Sequence, residues 1–156
     1  MSPALATQIL EFTFENDKAL YRGTLNTVAE AKKVRAIFLE RKSRQDRNLE
    51  MASMLGKPRL ELAAATLLRG WLMKKHKQML VDFLDTLGVP HKDGAVDDLP
   101  ATMDDAKLHA ALEKLLSQHP REEVIVYLNA FYSMNEVSWD NLKHLLESDP
   151  RLQFGH

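Results

Sequence analysis

The chain has no cysteine. Disulfides, thiolate nucleophiles and Cys-ligated zinc or iron–sulfur clusters are therefore excluded. No window approaches eighteen consecutive apolar residues, so no segment reads as a membrane span. The stretch from Met1 to Glu11 lacks a basic region followed by a long apolar run, so a secretory signal is not expected and a cytoplasmic setting is. The sharp catalytic motifs are missing as well. There is no phosphate-cradling Gly-rich loop, no Gly-x-Ser-x-Gly turn and no His-Glu-x-x-His pair. Nor do the aspartates of residues 93–98 have the spacing of an EF-hand loop.

What remains is an ordinary globular composition, 45% hydrophobic and 28% charged over 156 residues. That is enough for one domain with a real core, and it excludes a disordered or low-complexity chain. The net charge of −1 hides an asymmetry. Residues 1–78 carry 15 Lys and Arg against 8 Asp and Glu, and residues 79–156 carry 6 against 14. Either the halves attract each other, within a chain or across a dimer, or each meets its own partner.

Apolar residues from Pro58 to Gly88 recur every three or four positions: Leu60, Ala64, Leu67, Leu68, Trp71, Leu72, Met79, Leu80, Phe83, Leu84 and Leu87. The spacing predicts one helix of roughly 45 Å, opened by Pro58 and stopped by Gly88 and Pro90. Upstream, Leu5, Ile9 and Phe12 suggest a helix over residues 4–16, although Phe12-Thr13-Phe14 would suit a strand. Gly23 breaks that pattern, and Thr24 or Asn26 could cap the next helix. Val28, Ala31, Val34, Ile37 and Phe38 mark a helix from about Thr27 to Arg41, expected to continue to Gly56. Gly56-Lys57 would then be the corner of a long antiparallel hairpin.

Residues 89–101 read as a loop containing Pro90, Gly94 and Pro100. Its His91, Asp93, Asp97 and Asp98 could catch a cation, but a mobile acidic connection is the plainer reading. Three shorter helices follow. The first is capped by Thr102 with Asp105. The second starts at Pro120 and is buried, or is a strand through Val124–Val126. The third is capped by Ser138. The expectation is a single all-α domain over 1–156. It is a helical bundle with a basic N-terminal hairpin (18–88), a loop (89–101) and acidic C-terminal helices (102–148).

Three further groups of residues could carry function. His76 interrupts the long apolar stripe beside Trp71. A polar group there needs a hydrogen bond or a cavity, and Lys75 can snorkel outward, so His76, Lys75 and Trp71 form a candidate ligand site. Lys32, Lys33, Arg35, Arg41, Lys42, Arg44 and Arg47 form a candidate anion-binding segment. Acidic neighbours dilute it, no aromatic residue is interleaved for base stacking, and Glu122 and Glu123 disfavour a helix-turn-helix reading around Pro120. Asp105, His109 and Glu113 stack at four-residue intervals and could hold a metal or orient a base. A solvated polar face opposite Leu108, Leu112 and Leu115 is the plainer reading.

The leading expectation is a protein–protein interaction or scaffold domain, self-associating as a homodimer or binding another protein, with no cofactor and no membrane partner. Nucleic-acid or other anion binding through residues 32–47 is the alternative. A metal-dependent or small-molecule enzyme using His76 or the Asp105 column is a third reading, and the balance leans away from catalysis.

Overall fold

A computed structural model describes residues 3–96, 98–134 and 139–153. The fold is all-α: among the described residues the only extended pairing is an isolated bridge between Lys92 and Ala95. The chain divides into two compact units, residues 1–71 and 72–156.

The first unit begins with α1 (Pro3–Asn16) and α2 (Lys18–Ala31), separated by one residue. That residue, Asp17, caps α2 by accepting the Leu20 N–H at 3.1 Å. Gly23 therefore lies inside a helix, and neither Thr24 nor Asn26 is a cap. Both hydroxyls of Thr24 and Thr27 donate back to carbonyls one turn earlier, which keeps them compatible with a helix interior.

The expected run from Thr27 to Gly56 is three helices: the end of α2, α3 (Ala36–Glu40) and α4 (Arg44–Leu55). The first break is a Schellman end. Val34 N–H reaches Ala29 O and Lys33 N–H reaches Glu30 O, both at 3.0 Å, while Lys33 takes a left-handed φ of 58°. No glycine announces it, which is why apolar periodicity ran through it unbroken. The second break is a Ser43 cap, its Oγ accepting the Asp46 N–H at 3.2 Å.

Residues 58–88 are likewise divided. A 3₁₀ turn (Pro58–Leu60) leads into α5 (Glu61–Lys75), and α6 (Lys77–Leu87) follows after His76. His76 has φ −115° and ψ 31°, outside helical geometry. Its N–H still bonds Leu72 O, and its carbonyl still accepts Leu80 N–H, so the interruption spans a single residue. Trp71 and Phe83 are each 1% exposed. Most of the stripe is buried as its period requires, with Ala64 and Leu68 half-buried, although the rod is not continuous.

In the second unit α6 packs along α7 (Asp105–Gln118). α8 (Arg121–Met134) is helical throughout, and Val124 to Leu128 are all buried in succession. The β-branched run is thus accommodated in a central helix. Its Tyr127 and Phe131 meet Phe83 edge-on at 5.5 and 5.2 Å, and Phe131 continues to Trp139 at 5.5 Å. α9 (Asp140–Ser148) closes the unit.

Gly88 ends α6 with φ 73°. Asp104, not Thr102, caps α7, accepting Lys107 N–H at 3.2 Å. Ser138 lies outside the described residues.

The 89–101 connection is tied down. Asp93 and Gly94 both have positive φ (54° and 88°), as a type I′ turn demands, and Lys92 and Ala95 exchange two backbone hydrogen bonds across it. His91 bonds Asp85 at 2.7 Å through Nε2 and accepts the Gly94 N–H at 3.0 Å through Nδ1. Trp139 Nε1 donates to Pro100 O at 2.9 Å, anchoring the far end.

Candidate functional site

In the first unit α1, α4 and α5 leave an apolar groove of about 370 Å³. α1 contributes Ala6 and Ile9. α4 and its end contribute Leu49, Ala52, Ser53, Leu55 and Gly56, and α5 contributes Ala64, Leu67 and Leu68. The groove exists because the facing positions are small. Ala6, Ala52, Ser53, Gly56 and Ala64 cannot fill the space between helices held apart by their larger neighbours. Leu49 stands on the groove wall yet is largely exposed, and Leu62 on α5 is more exposed still. Among the described residues every large hydrophobic side chain that faces water belongs to this unit: Val34, Ile37, Phe38, Leu49 and Leu62, at 39–80% exposure.

Leu49 also borders a polar cleft of about 530 Å³ lined by Glu11, Arg44, Gln45 and Asn48. Behind it lies a connected network. Asn48, 2% exposed, accepts the Tyr21 hydroxyl at 2.5 Å and donates to Glu11 at 3.0 Å. Arg47 Nε donates to the Tyr21 oxygen at 2.8 Å. Burial raises the Tyr21 pKa above the ordinary phenol value, with Arg47 working against it. The Phe14 ring carries the guanidinium groups of Arg44 and Arg47 at 4.7 and 5.6 Å.

These contacts redistribute the candidate anion-binding segment. Lys32 and Lys42 both pair with Glu50, whose pKa they lower. Arg44 pairs with Glu11 at 2.7 Å, and Arg47 is held by Tyr21. Lys33, Arg35 and Arg41 are exposed, and among the described residues no carboxylate pairs with them. Four of the seven cations are thus engaged by partners within the unit, and among the described residues three are not. An aromatic residue does accompany Arg44 and Arg47, but Phe14 comes from α1, beyond the reach of local sequence pattern.

His76 has acquired partners that the sequence left unnamed. Its Nδ1 lies 3.6 Å from Glu123 Oε2, and both side chains are mostly buried. Burial, then the Lys75 and His119 charges, lowers its pKa from 6.5 to about 4. Burial raises that of Glu123. The pair is at ion-pair distance, but desolvation pushes each partner toward its neutral form, and His76 is neutral at pH 7. A second imidazole, His119, sits 3.5 Å from Asp82, which also accepts Gln78 Nε2 at 2.8 Å. Lys75 is exposed, as snorkelling implies, and Trp71 is buried in the preceding unit. Glu123 and Asp82 were missed because each reads as a first-turn acid or a solvated helix position.

Asp105, His109 and Glu113 do stay on one exposed helix face, but they are not assembled as a ligand set. Asp105 accepts Asn141 Nδ2 at 2.7 Å, and Glu113 pairs with Arg151 at 2.6 Å. Among the described residues no group of three His, Asp or Glu side chains is placed to hold a metal ion. Asp97 lies outside the described residues, and His91 and Asp93 serve the turn.

No protein-family model, curated protein or solved structure matches this chain.

Proposed function

We propose that the chain is a helical protein-association domain whose working surface is the α1–α4–α5 groove, with a second copy as its first partner. The supporting observation is the groove itself, an apolar channel rimmed by the half-exposed Leu49. Monomeric domains expose single apolar side chains freely, but a lined concavity suits the i, i+3, i+4 face of an entering helix. Charge complements this. The first unit carries 12 Lys and Arg against 8 Asp and Glu, and the second carries 9 against 14. Two copies can therefore orient basic against acidic surface while the groove supplies the apolar contact. A cytoplasmic homodimer built on helical hairpins is the fuller form of the same proposal.

Light scattering coupled to size exclusion, at low and high salt, is the direct test. A dimer that persists in high salt and becomes a monomer with Leu49→Glu is the expected result. A wild-type monomer at micromolar concentration in both salts overturns self-association. A dimer untouched by Leu49→Glu removes the groove from it.

A further inference from the structure

The connection between α2 and α4 combines two features that the groove does not use. Three of the exposed hydrophobic residues, Val34, Ile37 and Phe38, fall within it. Three exposed cations of the same connection that have no carboxylate partner among the described residues, Lys33, Arg35 and Arg41, are interleaved with them. Buried Leu39 pins α3 by one side and leaves its other side to solvent. Two nearby acids are already paired, Glu40 with Arg22 and Glu50 with Lys32 and Lys42, while Glu30 and Asp46 stay exposed.

We propose that residues 33–41 form a peripheral tip that docks on an anionic lipid surface, inserting Val34, Ile37 and Phe38 among the headgroups while Lys33, Arg35 and Arg41 meet lipid phosphate and carboxylate. This departs from the expectation of no membrane partner, and it needs no spanning helix.

The choice of occupant follows from shape and charge. A second copy meeting the tip through the same tip would oppose cation to cation. A second copy meeting it through the acidic unit would find no exposed large hydrophobic residue there among the described residues. An acidic peptide would need a concavity to grip, yet Ile37 and Phe38 stand on a five-residue helix between two turns, and neither the groove nor the polar cleft described above is lined by residues 33–41. A lipid interface moulds itself around whatever enters it. It rewards this pattern of a few apolar side chains ringed by snorkelling cations.

The test is co-sedimentation of the full chain with vesicles of phosphatidylcholine alone or mixed with phosphatidylserine. Binding is expected only to the serine-containing vesicles and should weaken as salt rises. Each tip cation is worth about fivefold in vesicle affinity, from about 1 kcal/mol per charge. Arg35→Glu with Arg41→Glu should therefore lower affinity at least about 25-fold, and Ile37→Ala with Phe38→Ala should also release the protein. All four positions are exposed, so circular dichroism should stay unchanged. Leu49→Glu should bind vesicles normally, which separates this test from that of the groove. Absence of binding to anionic vesicles, or binding that ignores both double variants, overturns the proposal. So does tighter, tip-dependent binding to polyglutamate than to vesicles, which would make the partner an acidic protein.

Discussion

His76 makes the second unit sensitive to mild acid, and the effect has a sign and a size. In the unfolded chain the imidazole titrates near 6.5, whereas in the fold it resists protonation until about pH 4. Between those values the unfolded state holds a proton that the folded state refuses. Stability is therefore full above about pH 6.5, falls as pH drops, and levels off below about 4. At about 1.36 kcal/mol per unit, the span amounts to roughly 3 kcal/mol. Glu123 works the other way, because its raised pKa lets the folded chain take a proton first as pH falls.

His76→Asn isolates the imidazole. Asparagine keeps a hydrogen-bonding group at the Nδ1 position and is itself a favoured residue at a helix start, but it does not titrate. Glu123 is present in both proteins, so its contribution largely cancels in the comparison. Amide hydrogen exchange of Val124–Leu128, measured at several pH values from about 4.5 to 7 and corrected for intrinsic rates, reads the stability of the unit that contains His76. The wild type should lose protection progressively through this window, and the variant should lose much less. Parallel loss in the two proteins would refute the reasoning.

Other substitutions probe the remaining devices. Gly94→Ala places a Cβ 3.0 Å from the Leu80 Cβ at a φ of 88°, and should lower the stability of the second unit by about 2–3 kcal/mol in urea denaturation. Lys33→Gly relieves the left-handed strain at the end of α2 and should raise stability by about 0.5–1 kcal/mol, read as a higher melting temperature. Asn48→Ala strips the Tyr21 hydroxyl of its acceptor and Glu11 of a donor. It should cost about 1–3 kcal/mol, and a Tyr21→Phe, Asn48→Ala double mutant should recover part of that loss.

The helical period gave away α1, α7, α8 and the far half of the 58–88 stripe, because burial of a stripe needs only local sequence, but it split α2 at Gly23 and ran α5 and α6 together. Thus α1, α6, α7 and α8 sit close to where their leucines, valines and phenylalanines place them. Breaks were harder. Gly88 ends its helix visibly, but α2 closes on a left-handed Lys33, a residue that carries no stop signal, with Lys33 N–H bonding Glu30 O and Val34 N–H bonding Ala29 O. The candidate sites were legible only in part. His76 could be singled out because it is polar on an apolar stripe, while its partner Glu123 stands on a helix that no spacing rule connects to it. The groove was hidden for a different reason. Ala6, Ala52 and Ala64 look like routine helix formers until three helices meet around them.

The seam between the units falls after Trp71, within α5, and this has a practical consequence for anyone dissecting the molecule. Proteases cut backbone that can be drawn out into an extended strand, and an intact helix withholds it. Digestion would therefore nick some linker away from the seam and release fragments that cross it. A gene cut at that codon would leave both products with a severed helix, and moving the scissors back to Gly56-Lys57 would strip Leu60, Leu67 and Trp71 from the first unit.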